Sequence, residues 1–170
     1  MRLASVMLAA VAVLAALLLW LHFASQPPKE SATIANFYKH RAEYDELRAM
    51  LLSDKELVRV ADWGIQTSDS LVEHTPTEGN FSVDRYHKYL ALLHEIGAKG
   101  AFRSHEEHPE IGVQIWVSGF GGDTRHVNVC WREDQPTNQV SSLDEFYRTS
   151  KPRKAAYRHI DGDWYIWVDW

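Results

Sequence analysis

The sequence predicts an α+β fold: two longer helices and one short helix packed on a largely antiparallel sheet, preceded by one N-terminal transmembrane helix. Three observations carry that prediction. Residues 3–23 contain no Asp, Glu, Lys or Arg, and Ser5 and His22 are their only polar interruptions. Apolar residues then recur at helical spacing in two separate stretches, around 33–51 and 82–97. From Ile111 onward the period shortens to two, and Asp161-Gly162 separates two runs rich in aromatic and β-branched residues.

A helix of about 20 residues rising 1.5 Å per residue crosses a hydrocarbon core roughly 30 Å thick, and residues 3–23 are long enough to do so. A cleaved signal peptide is the competing reading. Its apolar run usually spans about 7–15 residues, and a small-x-small site is missing here because His22 or Phe23 stands three residues before any cut after Ala24 or Ser25. The expectation is therefore an uncleaved signal anchor over 1–23, a tether over 24–30 containing Pro27 and Pro28, and an extracytoplasmic domain over 31–170. Trp20 and Phe23 suit the interfacial belt, and Arg2 with the amino terminus favours an N-in, domain-out, single-pass topology. In a bacterium that domain is periplasmic, and the first expected partner is the lipid bilayer.

In the domain, Thr33 is expected to cap a helix of about 18 residues whose buried stripe is Ile34, Phe37, Tyr44, Leu47 and Leu51. Leu57-Val-Arg-Val-Ala-Asp-Trp63 reads as a strand, and Ser53-x-x-Glu56 offers a competing helical cap before it. Residues 66–80, rich in Thr, Ser, Asp, Pro and Gly, read as a long exposed loop. Ser82 caps the second helix, with Tyr86, Tyr89, Leu90, Leu93 and Ile96 as its stripe and Gly97 as its left-handed stop. Gly100–Ser104 is a short strand, and 105–109 a turn. Ile111–Val117 and Val127–Trp131 form a hairpin, Ser142-x-x-Glu145 opens the short helix, and the chain closes on a second hairpin at Asp161-Gly162.

Residues after Arg2 hold 17 Lys plus Arg against 23 Asp plus Glu, a formal −6, so no nucleic-acid partner is expected. The single cysteine, Cys130, cannot form an intramolecular disulfide and reads as a small buried apolar group. His94, His105 and His108 with Glu106, Glu107 and Glu110 suggest a metal cluster, yet His105 and His108 are three apart beside Pro109, not four apart on one helix face. Neither a metal nor a cofactor is expected. The glycines after Ser118 fit a hairpin loop better than a nucleophile elbow, because no glycine stands two residues before that serine. Arg148, Lys151, Arg153, Lys154 and Arg158 form a basic run on an acidic chain.

Alternation assigns the two faces of the sheet. Ile111, Val113, Ile115, Val117, Val127, Val129, Trp131, Trp164, Ile166, Val168 and Trp170 are expected to face the helices. Gln114, Trp116, His126, Asn128, Arg132, Tyr165 and Trp167 then fall on the opposite face, a mixture of rings and hydrogen-bonding groups that reads as a recognition surface. The functional expectation is a membrane-tethered, non-enzymatic binding or interaction module outside the cytoplasm, with a protein or glycan partner. Its alternatives are an envelope-acting hydrolase with a site near His94, His105 and His108, and a glycan-binding module using exposed aromatics.

Overall fold

The computed structural model describes residues 13–14, 26–77, 81–104, 109–119, 124–149 and 154–169. The expected anchor therefore lies outside the described residues apart from Val13 and Leu14. Among the described residues no helix is long and apolar enough to cross a membrane.

From Glu30 onward the order is α1 (Glu30–Lys39), α2 (Arg41–Ser53), β1 (Leu57–Ala61), β2 (Gly64–Thr67), β3 (Ser70–His74), α3 (Val83–Ile96), β4 (Gly100–Arg103), β5 (Ile111–Ser118), β6 (Arg125–Trp131), α4 (Leu143–Thr149), β7 (Ala155–Asp161) and β8 (Trp164–Asp169). The strands form one sheet in the order β3-β2-β1-β4-β5-β6-β8-β7, every pairing antiparallel. The α+β prediction holds for these elements.

The first helical stretch is two helices rather than one. His40 leaves helical geometry at φ −115° and ψ 30°, although Tyr44 N–H still bonds to its carbonyl, so the apolar period runs through the break. Asn36 explains the bend: its amide donates to the Ile96 carbonyl at the end of α3 and accepts from the Tyr44 hydroxyl. Thr33, expected at the N-cap, lies buried inside α1, and the helix starts after Lys29 without a side-chain cap. Asp144 supplies that cap from across the fold, and Glu30 caps α4 in return. The Glu30 carboxylate accepts from the Leu143 amide and the Arg158 guanidinium, while Asp144 accepts from the Glu30 amide, so the starts of α1 and α4 cap one another.

The expected loop over 66–80 contains the end of β2 and all of β3; residues 78–80 lie outside the described residues. Its turn is closed by Thr67 donating to Asp69 and Ser68 to Glu56. The strand is polar because it is the sheet's edge, with Val72 largely exposed, and so lacks the alternation by which a half-buried strand is recognised. Ser53 ends α2 rather than opening a turn. The next residue, Asp54, accepts from Arg85 and Tyr89 and clasps α2 to α3. Helix α3 matches expectation, with Ser82 accepting from Arg85 N–H and Gly97 at φ 76°.

The four helices from Glu30 onward pack on one face. Phe37, Tyr44, Leu47, Tyr89, Leu93 and Ile96 meet Val60, Ile111, Val113, Val129, Trp131 and Trp164 in the main cluster, where Trp164 touches both Phe37 and Tyr44. Under α4, Leu143 joins Val127, Ala156, Ile166 and Val168. The cross-strand rows Val113–Val129–Ile166 and Val127–Val168 carry both clusters.

One residue disturbs the expected sorting. Val113 opposes Val129 and Gln114 opposes Asn128, but Trp116 opposes Val127 and Val117 opposes His126, leaving Ile115 as an extra residue in β5. The bulge reverses the phase of the rest of the strand. Trp116, expected on the recognition face, packs instead on the cluster beneath α4, and Val117, expected in the core, is 41% exposed on the other side. Trp170 lies outside the described residues. Trp131→Ala is expected to cost about 3–5 kcal/mol in urea unfolding, and Trp116→Ala about 1–2 kcal/mol because its ring is only partly buried. A neutral Trp116→Ala would return that ring to the open face.

Candidate functional site

The face turned away from the helices is laid out in rows across the strands. One row runs Ala61, Gly100, Gln114, Asn128, Trp167, Tyr157; the next runs Gln66, Arg59, Phe102, Gly112, Cys130, Tyr165, His159. Gly112 belongs there because the far end of the Phe102 ring fills the space a Cβ would need. Together these rows line a groove of about 300 Å³ between Val58, Arg59, Gln66, Phe102, Arg103, Gln114, His126, Asn128 and Trp167.

Of the seven residues the sequence assigns to a recognition surface, the fold brings four into this groove: Gln114, His126, Asn128 and Trp167. Arg132 borders an adjoining depression that shares Trp167. There its guanidinium is held by Glu110 and Asp134 and lies over the Tyr157 ring, whose hydroxyl also donates to Glu110. Tyr165 is on the expected face but only 3% exposed, packed with Cys130 and Tyr157. Trp116 is on the opposite face. The residues missed by the sequence reading, Val58, Arg59, Gln66, Phe102 and Arg103, come from β1, β2 and β4. Arg59 carried the only local signal, as the polar position in the strand Leu-Val-Arg-Val-Ala.

The groove's hydrogen bonds are directional. Arg59 donates to the Gln114 side-chain oxygen at 3.1 Å, which turns the Gln114 nitrogen toward His126 Nδ1 at 2.9 Å. An amide nitrogen only donates, so Nδ1 is the acceptor and the imidazole proton belongs on Nε2. Burial holds the His126 imidazole below the ordinary histidine range; the Asp169 carboxylate directly across the strand pair pulls it up, and Arg59 pushes it down.

Asn128 has no such arrangement. It is 1% exposed, it lines the groove, and neither its Nδ2 nor its Oδ1 has a hydrogen-bond partner among the described residues. Arg103, which borders the groove but pairs with core residue Ile111, likewise keeps a buried Nε without a partner among the described residues, while its guanidinium donates to the Lys55 carbonyl. Cys130 is fully buried, and burial pushes its thiol well above the usual range, so it remains protonated and unreactive.

Of the expected metal candidates, His105, His108, Glu106 and Glu107 lie outside the described residues. His94 sits near the end of α3 beside Leu93, Ala98 and Lys99, on the helix side of the sheet. Among the described residues no group of three or more His, Cys, Asp or Glu is placed to hold a metal ion. Compared with protein-family models, curated proteins and solved structures, the chain matches none.

The sign of the His126 shift gives a pH dependence. Its folded pKa is below the unfolded value near 6.5, so the unfolded chain binds the proton first and acid costs stability. The contribution is intact above that value and is lost as pH falls from about 6.5 toward the lower folded pKa. His126→Gln is expected to lose less stability than the parent between about pH 7.5 and pH 5.5, measured as urea midpoints. Equal losses would mean that the imidazole is not held neutral by the groove.

Proposed function

We propose that this chain is a non-enzymatic binding module, tethered to the membrane by its N-terminal segment with the sheet outside the cytoplasm, and that the groove on the open face holds its ligand. The anchor rests on the uncharged run 3–23. The binding reading rests on Asn128.

A buried amide with neither hydrogen bond made costs about 1–3 kcal/mol, and no packing requirement compensates for it in a row whose neighbours are Gln114 and Trp167. The same position in an apolar-faced strand would take a leucine of nearly equal shape. An unpaired donor and acceptor held side by side at the wall of a groove, between a second amide and an indole ring, is the arrangement by which protein sites fix the orientation of a small ligand. Catalysis finds less support. His126 Nδ1 already accepts from Gln114, the groove lining contains no Ser, Thr, Cys, Asp or Glu among the described residues, and Cys130 is sealed beneath the surface.

The test needs no ligand. Removing a buried polar group whose partners are absent from the fold should stabilise it, so Asn128→Leu is expected to raise the unfolding free energy by about 1 kcal/mol or more and to raise Tm. A Tm lowered by the substitution would show that the amide serves the fold, and the groove would lose its claim as a binding site.

A further inference from the structure

Beside the groove lies a depression of about 410 Å³ with a different chemistry. Among the described residues Trp167 is the one side chain that lines both, so its half-buried indole is their common wall. The polar lining comes from the stretch after β6, where Asp134, Gln135, Thr137 and Asn138 are all exposed. These groups are held in place. Tyr157 N–H donates to the Asn138 carbonyl, Val140 N–H donates to the Tyr157 carbonyl, and the Asn138 side-chain amide donates to the Ala155 carbonyl, which fastens the stretch along the outer edge of β7. Asp134 is fixed by the Arg132 guanidinium, which donates to both its oxygens and lies over the Tyr157 ring. A ligand entering here has little loop ordering to offset.

The hydrogen-bonding capacity of the depression is mixed and reachable. Asp134, its side chain 47% exposed, only accepts; Gln135 and Thr137 both donate and accept, and neither side chain has a hydrogen bond among the described residues. Hydroxyl groups, which donate and accept in turn, match that set, and the indole beside it offers a flat apolar surface. A sugar ring supplies both. Charge narrows the class, because Arg132 is shared by two carboxylates, Glu110 and Asp134, so the wall is net negative and disfavours an acidic sugar. When every hydroxyl is equatorial, as in a β-glucoside, both ring faces present only C–H, which is what stacking on an indole requires. We propose that the depression binds a neutral β-glucoside unit, its C–H face on Trp167 and two neighbouring hydroxyls held by Asp134 and the Asn138 side-chain oxygen. This site is additional to the groove and does not need the groove to be occupied.

Three probes test it, each titrated into the full-length chain while the Trp167 indole N–H is followed by NMR, its resonance assigned by its loss in Trp167→Phe. Methyl β-D-glucoside carries the ring face and the hydroxyls; methyl β-D-glucuronide adds one carboxylate; sorbitol keeps hydroxyls without a ring. The glucoside is expected to shift the Trp167 signal saturably at millimolar concentration, with the glucuronide about tenfold or more weaker and sorbitol without a saturable effect. Asp134→Asn should weaken the glucoside about fivefold or more and narrow its advantage over the glucuronide, and Asn138→Ala should independently weaken it, with the remaining resonances reporting that each variant is folded. Equal binding of glucoside and glucuronide, or of sorbitol, overturns the proposal. So does glucoside binding that neither variant changes; shifts at His126 would then place the sugar in the groove. No response to the glucoside overturns it as well, while the Tm of Asn128→Leu decides the groove separately.

Discussion

The extra residue at Ile115 decides what each side of this sheet can do. Without it, alternation would hold Trp116 opposite His126 and fill the open face with an indole. With it, the Trp116 ring joins Val127 and the apolar cluster under α4, and Val117 takes the place beside His126. On that face Arg59 donates to Gln114, and the Gln114 amide donates to His126 Nδ1. A bulge beside a recognition groove is the usual means of re-aiming a side chain without interrupting the sheet on either side.

The helix face supplies the stability that lets the sheet tolerate this arrangement. Its rows interlock with Phe37, Tyr44 and the three helix stripes, and the Glu30–Leu143–Arg158 contacts tie the first helix to the far end of the sheet. The open face meanwhile keeps polar groups where packing alone would have chosen aliphatic ones. It is not uniformly open, since Tyr165, Tyr157 and Cys130 form a small buried cluster of their own, and Arg132 with Glu110 and Asp134 closes one end. The groove occupies the stretch from Arg59 to Trp167, and the unpaired amide of Asn128 is buried in its wall.

Local signals made much of the fold legible. Ser82 and Gly97 mark α3 because caps act within one turn, and Asp161-Gly162 marks the last hairpin because the tight turn demands a positive φ, which Gly162 supplies at 54°. The break at His40 escaped because Asn36 is pulled by Ile96, a residue distant in sequence. Strand β3 escaped because an edge strand need not alternate. On the open face, Gln114, His126, Asn128 and Trp167 were legible from strand parity before the bulge and on the two strands without one. Trp116 was not, since a single inserted residue leaves no mark on composition or period until the partner strand fixes the register. Arg59 and Phe102 were hidden for a different reason: they enter the groove only because β4 pairs with both β1 and β5, a non-local choice that no short stretch of sequence records.

The assignment of faces around Ile115 is the claim on which the groove, its hydrogen bonds and its ligand chemistry all rest. Through-space NMR contacts from the Trp116 indole protons test it directly. Contacts to the Val127 methyl groups and to the side chains under α4 are what this register requires. Contacts from that ring to His126 and Trp167 would place it in the groove, and would contradict the account.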